Sequence, residues 1–234
     1  MQPVDIKNRP SRSKRGFTLI EMLVVIAIMS ILMTAGAIGL SGMGGKGVSS
    51  GVASTESLFD EARAIAVGQR TRVRILISHA LTNNPGENLR RVLVASEELD
   101  ATGTAQEGKW VLSSRGVVLP DQVYFSQVYS KKDHQNGSGT IDVMSLSNVK
   151  STYQGEYYYY ELNAEGICTT PGASLVIGTG SRGVNQYDEK PRVTSAGKRD
   201  FGGFVIWRNG RTSLFHSPAQ ISSSIQTLNT GAQF

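Results

Sequence analysis

The chain has 234 residues and carries 24 lysines and arginines against 19 acids, with three histidines and one cysteine. Residues 1–16 hold five of the bases and one of the acids, which leaves 19 bases and 18 acids in the rest of the chain. Most of the excess positive charge therefore belongs to residues 1–16, and the rest of the chain is nearly neutral. A nearly neutral domain does not indicate a concentrated basic face, so we expect no nucleic-acid partner. The lone Cys168 excludes an intramolecular disulfide, and the widely separated His79, His134 and His216 do not have zinc-site spacing, so neither a metal nor a cofactor is expected.

A basic leader, residues 1–16, joins a long apolar run at Gly16. The run from Phe17 to Leu40 has 24 residues, about 36 Å as a helix, which exceeds a hydrocarbon core of about 30 Å. The charge of the leader favours the cytoplasmic side, so we expect 17–40 to be a transmembrane and assembly helix with the following chain outside. A secretory signal has its small-residue cleavage site after the apolar run. Here Gly16 precedes the run, so removal of the leader would leave the helix on the protein.

The junction resembles a known processing signal. The motif K-R-G-F-T-L-I-E, which begins at Lys14, and the apolar run behind it are similar to the type III signal of type IV pilins and pseudopilins. The resemblance implies that prepilin peptidase, a membrane-embedded aspartyl enzyme, cleaves after Gly16 and methylates the new amino terminus at Phe17.

Glu21 is the only formal charge in the apolar run, and two interpretations of it stay open. A carboxylate at mid-bilayer costs about 2.5–3.5 kcal/mol, but a position near the cytoplasmic end allows it to snorkel for less. In a filament core, an unpaired carboxylate would need a cation, and the amine created at Phe17 of the same or a neighbouring subunit supplies one. The resemblance assigns the glutamate to this assembly salt bridge, which we favour.

The segment 41–52 is rich in glycine, and each interior glycine costs a helix about 1 kcal/mol relative to alanine. A plain flexible linker and a helix segment that can melt both fit this composition. Because related pilins have a long amino-terminal helix with a meltable middle, we favour the second.

The globular domain is expected at 53–234 and begins with an amphipathic helix. Ser54 or Thr55 is expected to cap this helix. Its apolar stripe, which should lie on a sheet, is formed by Leu58, Ala62, Ile65, Ala66 and Gln69.

After Thr71 the hydrophobic period changes to two, which is typical of half-buried strands. Asn209-Gly210 between two such runs is the strongest short hairpin signal in the chain. We therefore predict an α+β chain, with a long membrane-spanning amino-terminal helix followed by a mainly antiparallel, pilin-like sheet domain. The expected loops are Arg115–Val118, Ser130–Gly139 and Gly180–Asp200. The predicted strands are centred on Val73–Ile77, Arg91–Ser96, Lys109–Ser113, Gln122–Gln127, Thr140–Leu146, Tyr157–Asn163, Ser174–Gly178, Phe204–Arg208 and Thr212–Phe215.

The order of these elements resembles one branch of the pilin family, the H-type minor pseudopilins of type II secretion and the related minor pilins of fimbrial biogenesis. The elements that carry this likeness are the helix, the strand after it, the Trp110 strand and the runs Leu119–Phe125, Glu161–Gly166 and Ser174–Ile177. The likeness is a pattern of residue types and is less specific than the leader.

Two motifs in the domain suggest other functions. Gly178–Gly183 matches G-x-G-x-x-G, but Val184–Pro191 is polar and ends in proline, so it does not offer the helix amino terminus that a dinucleotide needs. We expect a glycine-rich loop. In a strand, Tyr157–Tyr160 would place two rings inward and two outward, which fits a stacking platform for nucleic acid or, as we favour, packing or a subunit contact.

Asp188 and Glu189 fit either a calcium site or a solvated loop, and the loop is the simpler interpretation. Cys168 is expected to be a buried small apolar residue rather than a reactive thiol.

Together these features predict a non-enzymatic structural subunit, expected to be a minor one, of a type II secretion pseudopilus or a type IV pilus. The expected partners are prepilin peptidase, other pilin or pseudopilin subunits and the inner-membrane assembly platform. The expected location is the bacterial inner membrane, single-pass, with the carboxy-terminal domain periplasmic or extracellular, and then the filament. Assembly is expected to rest on helix packing among Leu19, Ile20, Leu23, Val24, Ile26, Ala27 and Ile31.

Two alternatives belong to other classes. In the first, the chain is a minor pilin whose outer domain binds DNA or a surface ligand for uptake or adhesion, and DNA binding with a steep salt dependence would identify it. In the second, it is a membrane-tethered binding protein that never polymerises, and an intact Gly16 on the mature protein would support it.

Overall fold

The computed structural model describes residues 19–41, 43–183, 185–193, 201–228 and 231–233. The chain divides into two compact units, one that ends at Ser41 and one from Gly42 onward. The described part of the first unit is helix α1 (Leu19–Ser41). A helix followed by antiparallel sheets confirms the predicted α+β class.

The second unit combines one long helix with two antiparallel sheets. In the described residues the larger sheet has the strand order β3-β2-β1-β6-β5, and the smaller has the order β4-β7-β8-β9. The elements are α2 (Met43–Gln69), β1 (Val73–Leu81), β2 (Arg91–Leu99), β3 (Ala105–Val118), β4 (Val123–Phe125), β5 (Val143–Leu146), β6 (Gly155–Leu162), β7 (Ala173–Thr179), β8 (Phe201–Ile206), β9 (Thr212–Leu214) and α3 (Pro218–Ile221).

Each predicted strand has a counterpart among these elements, and the predicted hairpin is confirmed. Phe204 pairs with Leu214 and Ile206 with Thr212 across the Asn209-Gly210 turn. Gly210 has a φ of 73°, a backbone conformation that favours glycine, which explains why this dipeptide was a strong hairpin signal.

Helix α2 packs on both sheets and contains the predicted apolar stripe. Leu58, Ala62 and Ala66 are buried, whereas Gln69 at the end of the helix is exposed. The helix contacts β1 and β2 of the larger sheet and β4, β7 and β8 of the smaller sheet. Burial of this stripe forms the main core, whose largest fully buried side chains include Phe59, Ile75, Ile77, Leu119, Phe125, Tyr158, Tyr160 and Phe204.

The prediction that Ser54 or Thr55 caps this helix is wrong, because the helix begins at Met43 and both residues lie inside it. Thr55 is fully buried, and its Oγ1 donates a 2.8 Å hydrogen bond to the carbonyl of Gly51. The hydroxyl therefore has its hydrogen-bond partner within the helix, which allows a polar residue at a core position.

Residues 43–52, expected as a linker or a meltable helix segment, form the first part of α2. Gly51 lies so close to the smaller sheet that an added Cβ would be 2.9 Å from Ile177 Cδ1. Close approach to the sheet recovers packing energy that offsets the intrinsic penalty of glycine in a helix. Melting of this segment stays a prediction.

The prediction of a loop at Arg115–Val118 is wrong, because β3 continues to Val118. The strand passes a bulge near Gly116, where the register with β2 shifts between Val92 and Val94. Gly116 has a φ of 60°, and an added Cβ would lie 1.8 Å from the carbonyl oxygen of Val92, so only glycine fits. The bulge breaks the strict alternation that sequence reasoning relied on.

The four consecutive tyrosines do not divide into two buried and two exposed rings as predicted. Tyr157, Tyr158 and Tyr160 are buried, and Tyr159 is half-buried. The outward side of the larger sheet has an apolar cluster of its own, here called the outer-face cluster, which explains the burial of Tyr157. Its members are Leu76, Leu81, Leu93, Ala95, Trp110, Leu146 and Tyr157.

Candidate functional site

Apart from Glu21 and Ser30, the described side chains of α1 are apolar, and they cover every side of the helix. Between positions 19 and 30, nine large hydrophobic side chains are 44–83% exposed within the chain. A helix that is hydrophobic all round is stable only when something else covers it. The nine side chains are those of Leu19, Ile20, Met22, Leu23, Val24, Val25, Ile26, Ile28 and Met29.

The seven residues predicted for helix packing fall within one side of α1. At about 100° per residue they cover an arc of roughly 160°. Ser30 lies on the same arc, and its Oγ donates a 2.7 Å hydrogen bond to the carbonyl of Ile26, so its hydroxyl does not require another partner there. The side chain of Ile31 lies outside the described ones. For the other six, the structure provides an apolar surface, and their role in packing stays a prediction.

Glu21 lies in the first turn of α1 as the structure describes it. A carboxylate there is favoured by the positive end of the helix dipole. Gly16 and Phe17 lie outside the described residues. The assignments that involve them are the cleavage site at Gly16–Phe17, the methylation of Phe17 and the salt bridge between Phe17 and Glu21. These three assignments stay predictions.

No helix among the described residues has the length and apolar character needed to cross a membrane. The transmembrane role expected for 17–40 therefore stays a prediction from the sequence.

The glycine-rich motif begins at the end of β7, with Gly178 and Thr179 in the strand, and continues as the loop behind it. In the described chain the next helix begins at Pro218, far beyond the motif. Arg182, within the motif, points its guanidinium at the carbonyls of Asn88 and Tyr187. The loop is held to the fold by these hydrogen bonds and does not form a dinucleotide-binding turn.

The remaining motifs are explained by structural contacts. Cys168 is buried, as predicted, and burial raises the pKa of its thiol. Glu189 forms an ion pair with Arg192 at 3.2 Å, and no group of three or more potential metal ligands converges in the part of the chain that the structure describes.

A cleft of about 300 Å³ lies between α2 and the β8–β9 hairpin. Its lining is mixed: the apolar Val48, Val52 and Leu214 lie beside the polar Ser49 and His216, and Glu56 is the carboxylate among the lining residues. That carboxylate accepts a 2.6 Å hydrogen bond from Thr212 Oγ1. The cleft is therefore a recess of mixed polar and apolar character between the helix and the hairpin.

Sequence reasoning missed an ion-pair network on the outward side of the larger sheet. Arg74 binds Glu161 at 2.6 Å, and its guanidinium lies 4.1 Å from the ring centroids of both Trp110 and Tyr159. Arg72, two residues earlier, binds Glu97 at 2.5 Å. In the alternating pattern of this segment, the two arginines fall on the side predicted to face solvent. Their acidic partners lie on other strands, so the local pattern gives no sign of the pairing. Cross-strand pairing places these charges over the outer-face cluster.

The fold should lose stability in acid because of Glu97, whose side chain is only 4% exposed. Burial raises the pKa of Glu97, but hydrogen bonds from Arg72 and from the Gly108 N–H, with the charge of Arg72, outweigh it and hold the pKa below its ordinary value of 4.5. A lowered pKa stabilises the fold above about pH 4.5, and this contribution disappears as the pH falls further. A Glu97→Gln variant should lose about 1–3 kcal/mol at pH 7 and show a weaker acid dependence, as measured by urea unfolding across pH. Equal acid dependence in both proteins would exclude this role.

Comparison with protein families identifies a motif at the amino-terminal end of the chain. Residues 11–37 match the prokaryotic N-terminal methylation motif, which is the signal of type IV pilins and pseudopilins. This confirms the resemblance that the sequence around Gly16 suggested. The match stops at residue 37, before α2 and the sheets. No curated protein and no solved structure matches the chain.

Proposed function

We propose that this chain is a structural subunit of a type II secretion pseudopilus or a type IV pilus, and not an enzyme. The observation that carries the proposal is the methylation motif at 11–37, which marks a type IV pilin-like chain. The motif overlaps α1, where Glu21 stands among apolar side chains exposed on every side of the helix.

Maturation begins in the membrane. The motif implies amino-terminal anchoring, processing by a prepilin peptidase and assembly with other pilins. We place the leader 1–16 in the cytoplasm, 17–40 across the inner membrane and the sheet domain on the periplasmic or extracellular side. Cleavage after Gly16 then exposes the amine of Phe17, which is methylated.

Assembly requires a cover for the apolar surface of α1 outside lipid. Helices of neighbouring subunits supply it, because the exposed apolar side chains of one helix pack against those of the next. The inner-membrane assembly platform moves the subunit out of the bilayer. Pairing of Glu21 with the Phe17 amine neutralises both charges within the filament.

The sheet domain makes lateral or tip contacts in this proposal, and the chain is a minor subunit. Support comes from the sequence alone, in which the order of predicted elements resembles that of H-type minor pseudopilins and related minor pilins.

The amino terminus of the mature protein tests the proposal directly. Mass spectrometry of protein purified from cells with an active prepilin peptidase should show N-methylated Phe17 as the first residue, and cells without the peptidase should retain residues 1–16. A Gly16→Leu variant, which places a bulky side chain at the cleavage site, should stay uncleaved. A native amino terminus at any other residue would exclude this maturation route.

A further inference from the structure

Two guanidinium groups from distant parts of the chain meet at one aromatic ring. The Arg182 guanidinium lies 4.9 Å from the ring centroid of Tyr124, and that of Arg90 lies 5.9 Å from it. Tyr124 is 9% exposed and is fixed in β4, where it pairs with Gly178 of β7. The ring therefore provides a rigid base against which both cations are placed.

Arg182 is held in place without a negative partner. Its Nη2 donates a 2.7 Å hydrogen bond to the carbonyl of Asn88, and its Nη1 donates a 2.9 Å bond to that of Tyr187. No carboxylate of the described residues forms an ion pair with it. Burial lowers the pKa of the guanidinium, an effect that Tyr124 partly opposes. A half-buried cation fixed by neutral carbonyls carries an uncompensated charge.

Arg90 is also incompletely satisfied. Its Nη2 donates to the carbonyl of Leu119 at 2.8 Å and to Asp121 at 2.6 Å. The Asp121 side chain is 94% exposed, so water screens this pair. The Nε of Arg90 is buried and has no hydrogen-bond partner among the described residues. A buried donor without a partner is destabilising, so the neighbours of Arg90 do not fully compensate its guanidinium.

We infer that Arg90, Tyr124 and Arg182 form a binding site for a small oxyanion, a phosphate or a carboxylate group. Guanidinium donors match the spacing of such oxygens, and charge-assisted hydrogen bonds are stronger than neutral ones. Glu87, an acid shortly before Arg90 in the chain, is already paired with Arg91 and does not supply the missing charge. The inference does not depend on the proposed filament role.

Isothermal titration calorimetry of the full-length protein in detergent micelles tests the site. Sodium phosphate and sodium acetate are titrated separately, with sodium chloride at equal ionic strength as the reference. We expect saturable binding of one equivalent in at least one of the first two titrations, and the stronger of the two identifies the oxyanion class.

An Arg182→Gln variant should bind the oxyanion about tenfold more weakly or not at all, because glutamine lacks the charge and the paired N–H donors of the guanidinium. Arg115→Gln is the matched control, since Arg115 is an exposed arginine of β3, and it should bind within about twofold of the wild type. Arg182→Lys keeps the charge without the planar fork and should also bind more weakly.

Two results would overturn the inference. The first is heats in phosphate and acetate that do not exceed those in chloride. The second is undiminished binding by Arg182→Gln. If Arg182→Gln does not fold, as judged by circular dichroism, Arg182→Lys and Arg90→Gln decide in its place, and wild-type affinity in both overturns the inference.

Discussion

A Glu21→Val variant should insert into the membrane and be cleaved after Gly16 like the wild type, yet be absent from filaments. Valine keeps the helix apolar and removes the free-energy cost of placing a carboxylate near lipid, so insertion should be at least as favourable as in the wild type. In the filament the Phe17 amine would lose its counter-charge, and a buried unpaired ammonium costs several kcal/mol. Immunoblots of membrane and sheared-filament fractions measure the two steps separately, and we expect incorporation to fall by at least about tenfold.

A Met22→Val variant controls for the Glu21 experiment, because it places the same side chain one position later on α1, where Met22 is already apolar. It should be inserted, cleaved and incorporated like the wild type. Normal incorporation of Glu21→Val would show that the carboxylate only snorkels to the interface, the alternative that the sequence left open. If Glu21→Val fails at insertion or cleavage, Glu21→Gln takes its place, because glutamine keeps the size of the side chain without its charge. Normal incorporation of Glu21→Gln would then contradict the pairing.

The processing motif and most strand positions could be predicted because both depend on local patterns of residues. The motif at 11–37 depends on neighbouring residues, as do the alternation of Val73, Ile75 and Ile77 and the Asn209-Gly210 turn. Such signals need no information about distant parts of the chain.

The start of α2 could not be predicted because local propensity and tertiary packing disagree there. Glycine is unfavourable in a helix, so the sequence predicted a cap at Ser54 or Thr55, whereas the described helix α2 already includes Met43. A Cβ added at Gly51 would lie 2.9 Å from Ile177 Cδ1 and 3.3 Å from Leu119 Cδ2, so the helix packs closely against the smaller sheet and the segment before β4. These partners are more than sixty positions away in the chain, so local rules cannot include them.

The arginine clusters were missed for a related reason. Arg74 contacts Glu161 and Trp110 on other strands, and Arg90 and Arg182 lie near the same ring, that of Tyr124, which is on β4 beside β7. A single arginine in the sequence is most simply a solvated charge. Only the fold shows which arginines lie over aromatic rings and which of these has no ion pair with a carboxylate of the described residues.

A Phe59→Ala substitution should have the largest effect on the stability of the sheet domain. Phe59 is 0% exposed in α2 and packs edge-on against Tyr160 of the larger sheet and Phe204 of the smaller sheet, with ring centroids 5.6 and 5.1 Å away. Because one ring joins the helix to both sheets, truncation leaves a cavity at their junction and should cost about 3–5 kcal/mol. Urea unfolding of the full-length protein in detergent, followed by circular dichroism, measures the loss.

The matched control for Phe59 is Val67→Ala, which truncates an apolar side chain on the same helix that is 52% exposed. It should change the free energy of unfolding by no more than about 0.5 kcal/mol. Phe59→Leu, which refills most of the volume but removes both edge-on ring contacts, should fall between the two. A loss below about 1 kcal/mol for Phe59→Ala would mean that the two sheets are held together without this ring. The junction would then depend on the other contacts that α2 makes with both sheets.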